Sequence, residues 1–190
     1  EAGDYFAWGE VKPKSEYSKK NYRVFDGDYE KYGVIDNRTI LELCDDAANV
    51  NWGGNWRIPT LEEQDELRND LYTTWIWINH NGVRGYKITS KTNGKSIFFP
   101  ASGKFSPFYS NFVGIVGSYW TSFRTSYSSD FSVYMFFDSK YIGCSSDLRY
   151  GGRCIRPVLH VGLTYNAIFH SNGGEGSMSS IPVGIAEEIE

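Results

Sequence analysis

Between Phe123 and Tyr150 the sequence concentrates side chains suited to recognising another molecule. Phe123, Arg124, Tyr127, Asp130, Tyr134, Asp138, Tyr141, Asp147, Arg149 and Tyr150 alternate there with Ser126, Ser128, Ser129, Ser145 and Ser146. Tyr supplies rigid amphipathic area and Ser adaptable hydrogen bonding, as in antibody paratopes. A few anchors carry most of the affinity of such a surface, and Tyr127, Tyr141, Tyr150 and Arg124 are the expected ones. The competing reading is a polar loop set with no partner.

Catalytic chemistry has no comparable concentration. Asp45-Asp46 and Glu62-Glu63 look like acid pairs, but both sit at helix starts, where capping and the helix dipole account for them. There is no Gly-x-Ser-x-Gly elbow, no His-Glu-x-x-His and no phosphate-binding loop. Cys44, Cys144 and Cys154 are odd in number and cannot pair fully. Three free thiols are expected, with a Cys144–Cys154 bridge as the alternative. No two cysteines have Cys-x-x-Cys spacing, and His80, His160 and His170 are scattered, so no structural zinc is expected. The sequence leads to no catalytic residue, no metal and no cofactor.

Composition narrows the partners. The 190 residues fit one domain plus part of a second. Hydrophobic residues make up 41% and charged residues 22%, the balance of a soluble globular chain. A net charge of −4 with no long basic run argues against nucleic acid. No apolar stretch reaches the roughly 18 residues of a membrane span. Aromatics are 17% of the chain, which suits half-exposed sheets and binding surfaces. With Glu1 in place of an initiator Met, a processed or excised piece is expected.

The elements that must position these residues centre on Gly53 to Gln64. Thr60 and Glu63 have capping-box spacing, so a helix is expected from Leu61 to about Leu71, with Leu61, Leu67 and Leu71 on one face. Pro59 holds Ile58 extended, and Trp56 and Ile58 alternate, so both are expected to point into a core. Asp45 or Asp46 caps a short preceding helix. Asp4–Glu10 reads as a first strand and Val11–Asn37 as a long polar loop. Thr73–Ile78 reads as a strand and Asn79–Gly82 as a turn. Gly85–Ser90 and Lys95–Pro100 form a hairpin through Asn93-Gly94. Ala101–Gly117 reads as an ordered loop and Ser118–Ser122 as a strand. In Ser132–Asp138, Val133, Met135 and Phe137 share one face and Ser132, Tyr134, Phe136 and Asp138 the other. Arg153–Val158 closes the sheet. Leu163–His170 is an alternating strand that opens an unfinished module.

The ordered set Asp4-Tyr5-Phe6-Ala7-Trp8-Gly9-Glu10, Asp45-Asp46-Ala47-Ala48, Trp52-Gly53-Gly54-Asn55-Trp56-Arg57-Ile58-Pro59-Thr60, Gly85-Tyr86-Lys87-Ile88-Thr89, Ser96-Ile97-Phe98-Phe99-Pro100-Ala101, Ser118-Tyr119-Trp120-Thr121-Ser122 and Arg153-Cys154-Ile155-Arg156-Pro157-Val158 resembles the Fibrobacter succinogenes major paralogous domain and its relatives in gut Bacteroidetes. That resemblance implies an α+β protein of C-type lectin-like fold: two helices, a small antiparallel sheet and long loops, over residues 1–160. Tyr165–Met178 is similar to the first strand and turn of a Listeria–Bacteroides repeat, which makes residues 161–190 a partial β-rich repeat module or C-terminal extension. The partial repeat implies an extracellular or cell-surface, multidomain parent with further domains as neighbours.

Sugar-binding C-type lectins hold calcium through Glu-Pro-Asn or Gln-Pro-Asp and Trp-Asn-Asp. Here Trp120 is followed by Thr121-Ser122 and neither tripeptide occurs, so that calcium site is not expected. A different one around Asp130, Asp138 and Asp147 stays open. Formylglycine-generating enzymes resemble this fold, but Cys144 and Cys154 match their cysteine pair in number only. Lectin-fold proteins diversified by retroelements vary in a region corresponding to 123–150. The expected function is a non-catalytic extracellular module that binds a protein or glycan there, with retroelement-type diversification of that surface as a further hypothesis. The alternatives are a spacer domain without a specific ligand and, behind it, an enzyme related to formylglycine generators.

Overall fold

In a computed structural model of the chain, the capping box expected at Thr60 forms. The Thr60 hydroxyl accepts from the Glu63 amide at 3.2 Å, and the Glu63 carboxylate accepts from the Thr60 amide at 2.9 Å. The same carboxylate takes both guanidinium nitrogens of Arg57, at 2.7 and 2.6 Å. One acidic side chain therefore starts helix α2 (Leu61–Arg68) and fixes strand β1 (Trp56–Arg57). Helix α1 (Ala47–Trp52) is capped by Asp46, whose carboxylate accepts from Ala48 and Asn49 and, on its other oxygen, from Ile58. Gly53, at φ +69, then turns the chain out of α1 toward β1.

The structure describes residues 3–23, 31–33, 36–105 and 111–159, and the backbone of 164–167 and 181–184. Its contacts divide the chain into one unit, Glu1–Val158, and another, Leu159–Glu190. The described residues form an α+β protein with two short α-helices and small antiparallel sheets. None of their helices is long and apolar enough to cross a membrane.

The first sheet has order β2-β3-β4, from β2 (Thr73–His80), β3 (Val83–Ser90) and β4 (Ser96–Pro100). Asn81 and Gly82, both at positive φ, make its first turn. The second has order β5-β6-β7, from β5 (Gly117–Arg124), β6 (Phe131–Phe137) and β7 (Ile142–Leu148). Register puts Tyr119, Met135 and Cys144 on one face and Trp120, Tyr134 and Ser145 on the other. The first face packs into a core with Tyr86, Ile88, Phe99 and Phe137. On the second face, Trp120 enters another core with Trp8, Tyr32, Leu41, Ala48 and Ile58. β8 (Val158–Leu159), which begins at the last residue of the first unit, neighbours β1 in a two-stranded sheet. In the second unit, β9 (Thr164–Ala167) pairs antiparallel with β10 (Ile181–Gly184).

Several expectations are corrected. Asp4–Glu10 is not a strand: it makes one antiparallel bridge, Phe6 to Arg153, and serves to plug the second core with Trp8. β7 is a strand that the sequence did not single out; its Gly, Ser and Asp residues are poor strand formers, and pairing with β6 overrides them. Helix α2 ends at Arg68 because Asn69 turns extended, which leaves Leu71 exposed. Trp56 is 38% exposed while Ile58 is buried, because β1 stops at Arg57 and the alternation does not continue through Ile58. Parts of the Val11–Asn37 and Ala101–Gly117 loops, and the turn expected at Ser171–Met178, lie outside the described residues.

Candidate functional site

On the face of the second sheet that carries Trp120, the rings of Tyr134, Phe136 and Tyr141 form a row. Centroids are 6.0 Å apart from Tyr134 to Phe136 and 5.4 Å apart from Phe136 to Tyr141, at interplanar angles of 47° and 33°. Tyr134 and Phe136 share this face by register, two residues apart on β6. Tyr141 joins them from the β6–β7 turn by lying across Gly143. A Cβ at Gly143 would meet the Tyr141 ring at 2.7 Å, so only glycine leaves it room. Asp138 holds that turn by accepting from the Lys140 and Tyr141 amides at 2.7 and 2.9 Å. Ser145, opposite Tyr134 on β7, is exposed beside the row.

The inner end of the row is clamped by a buried cation. The Arg153 guanidinium lies 3.8 Å from the Tyr134 ring centroid and 4.5 Å from that of Trp120. It donates to Asp147 at 2.5 Å. Burial, the largest influence on the Asp147 carboxyl, would raise its pKa. The Arg153 charge and hydrogen bond, the Leu148 amide and Lys104 outweigh it and hold the carboxyl below its ordinary range.

The ten sequence-predicted residues do not converge. Arg124 and Arg149, expected on the binding surface, are 3% and 1% exposed. Arg124 donates to the carbonyls of Arg38 and Thr125, and Arg149 to those of Lys31 and Tyr32. Both guanidinium groups are internal braces, which corrects their assignment as ligand contacts. Asp147 is engaged by Arg153. Tyr150 packs against a third cluster formed by Ala7, Tyr17 and Tyr22. Phe123 bridges to Ile40 at the end of β5. Asp130 and Asp138 flank opposite ends of β6, so with Asp147 they do not form one cation cage.

Tyr127 and Tyr141 are 74% and 58% exposed, but they belong to different places. The Tyr127 hydroxyl is 2.6 Å from the Ser146 hydroxyl, on the face that Val133 shares, while Tyr141 stacks on Phe136 of the opposite face. They also flank opposite ends of β6, a strand of about 20 Å. Alanine at either position is expected to shift stability by less than about 1 kcal/mol, because neither ring fills a core. Thermal melts check this, and a loss of about 3 kcal/mol would make the residue part of the packing.

Phe136 and Arg153 are the contributors that the sequence did not single out. Phe136 had one signal, its alternation with Tyr134. Arg153 had another, a charge inside the run Arg153-Cys154-Ile155, since a buried charge requires a partner.

Reactive groups are sparse among the described residues. Burial pushes the Cys154 thiol up to about 11 and raises that of Cys144, the opposite of what a reactive thiolate needs. None of the three cysteines forms a disulfide. His80, at the end of β2, packs against Phe98 with the rings tilted. Glu42, Cys44 and Asp45 lie close enough to share a cation, and the Lys31 ammonium already contacts all three. Comparison of the chain with family models, with curated proteins and with solved structures returns no match.

Proposed function

We propose that the first unit is a non-catalytic binding module of C-type lectin-like fold, carried at the cell surface or secreted, whose protein or glycan ligand docks on the Tyr134–Phe136–Tyr141 row. The observation that carries this reading is the row itself: three rings in sequence, backed by a buried cation and bordered by the exposed Ser145. Aromatic side chains held in place lose little conformational freedom on binding, and Tyr and Trp are enriched among the few residues that carry most of the energy of recognition surfaces.

The fold assignment draws support from the two short helices, the three-stranded antiparallel sheets and the long irregular stretches between them. The antiparallel β9–β10 pair is compatible with a partial β-rich repeat in the second unit. A diversified surface attaches to exposed positions such as Tyr127, Tyr141 and Ser145 and excludes the braces Arg124 and Arg149. The raised thiol pKa values of Cys144 and Cys154 lend no support to an oxidase related to formylglycine generators.

The test is a screen of immobilised glycans and surface proteins with the 190-residue chain. Phe136→Ala and Tyr141→Ala are expected to weaken a ligand found this way about 30-fold, the effect of losing a binding hot spot. Retained affinity in both variants would remove the row from recognition. A screen that returned no ligand would favour a spacer domain.

A further inference from the structure

Two tryptophans stand outside the cores, on a different part of the first unit. Trp52, the last residue of α1, is 55% exposed, and Trp56 on β1 is also exposed. With Arg156 and Pro157 they line a cavity of about 270 Å³. A neighbouring cavity of about 480 Å³ shares Trp52, Arg156 and Pro157 and continues to Asp4 and Asn51. The shared residues make the two cavities adjoin, with both indoles lining the smaller one and the Asp4 carboxylate lining the larger.

The charges along this groove are uncommitted. The Arg156 guanidinium lies 5.2 Å from the buried Phe99 ring, which holds it in place. Arg57, Arg68 and Arg153 have carboxylate partners, and Arg124 and Arg149 donate to backbone carbonyls. Among the described residues, Arg156 has neither kind of partner and Asp4 has no hydrogen-bond donor. A guanidinium is a donor-only fork matched to a carboxylate, and a carboxylate is an acceptor matched to hydroxyls.

We infer that this groove binds a carboxylate-bearing pyranose, a uronate or sialate unit of an acidic saccharide. The sugar's C–H face lies against the Trp52 and Trp56 indoles, its carboxylate meets Arg156, and its hydroxyls donate toward Asp4. A neutral sugar leaves Arg156 unused. A peptide with a free carboxyl end leaves Asp4 without hydroxyl donors. Of these three ligand classes, the acidic saccharide alone uses the indoles, Arg156 and Asp4 together.

Calorimetric titration of the 190-residue chain tests this. The acidic probes are tetragalacturonate and sialyllactose, and the neutral controls are maltotetraose and lactose. An acetylated tripeptide with a free carboxyl end tests the competing class. One acidic probe is expected to bind at least about tenfold more tightly than its neutral control, and which one binds separates a uronate from a sialate. Arg156→Gln is expected to bring the acidic probe to the neutral level, Asp4→Ala to weaken it, and Trp52→Ala to abolish it. The melting temperature tracks folding of each variant. Phe136→Ala and Tyr141→Ala leave this binding unchanged, so its outcome is separate from that of the aromatic row. Equal affinity for acidic and neutral probes, an Arg156→Gln variant that binds as well as the parent, or no binding of either acid at about 10 mM would overturn the inference. Tripeptide binding tighter than both acids would reassign the groove to peptide carboxylates.

Discussion

Replacing Arg153 with alanine is expected to lower stability by about 3 kcal/mol. Arg153 is 1% exposed and lies against both the Trp120 and Tyr134 rings, with its charge met by Asp147. Breaking a buried ion pair from one side costs about 3–5 kcal/mol, mostly through the charge left behind. The Asp147 side chain is 39% exposed, so water screens what remains, which places the loss at the lower end of that range. For a unit of this size the melting temperature should fall by about 6–12 °C. The same change removes the backing of Tyr134, so affinity for any ligand of the aromatic row should fall as well. A loss below about 1 kcal/mol would show that strand pairing alone positions Tyr134.

Asp147 ties the same pair to pH. Its folded carboxyl titrates below the ordinary range, so the unfolded chain binds its proton first as the solution is acidified. The pair's contribution is therefore complete above the unfolded carboxyl value of about 3.9 and is lost as pH falls through the lower folded value. In Asp147→Asn that increment should be absent already at neutral pH, and its stability should fall less steeply than the parent's below about pH 4. Urea melts at several pH values would show the two curves converging toward acid. Parallel curves would mean that Arg153 does not hold the carboxylate.

What could be read from the sequence follows the range of the interactions involved. The Thr60–Glu63 box and the Asp46 cap are closed within a few residues, so spacing alone announces them. The β3–β4 hairpin was legible because Asn93-Gly94 fixes its turn. β7 was not, since Gly143, Ser145 and Asp147 carry no strand preference and the β6 partner imposes one. The candidate site suffered in the same way. Arg124 and Arg149 have the composition of a binding surface, and only carbonyls supplied by Arg38 and Lys31, far away in the chain, turn them inward. Tyr127 and Tyr141 look equivalent in composition, but the sheet sends them to opposite faces. Trp56 misled for a complementary reason: alternation predicts direction only within a continuing strand, and β1 is two residues long.

Trp8→Ala is expected to cost about 3–5 kcal/mol and to lower one cooperative transition instead of splitting it. Trp8 is 1% exposed and belongs to a segment without regular strand structure, so its place depends on contacts from elsewhere. Its indole donates to the Thr121 carbonyl at 2.9 Å, its amide donates to the Arg149 carbonyl at 2.8 Å, and its carbonyl accepts from the Tyr22 hydroxyl. Its ring meets Tyr32 edge-on at 5.1 Å. Truncation leaves a cavity between β5 and the N-terminal segment and strips the indole's partner from Thr121. The transition stays single because β5 and β6 serve both cores: Tyr119 and Met135 face the first, and Trp120 faces the second with Tyr134 packed against it. Loss of one core therefore uncovers one face of strands whose other face is the opposite core. Far-ultraviolet circular dichroism and tryptophan fluorescence should report the same lowered midpoint. Two separated midpoints would mean that the cores fold independently and that the central sheet does not couple them.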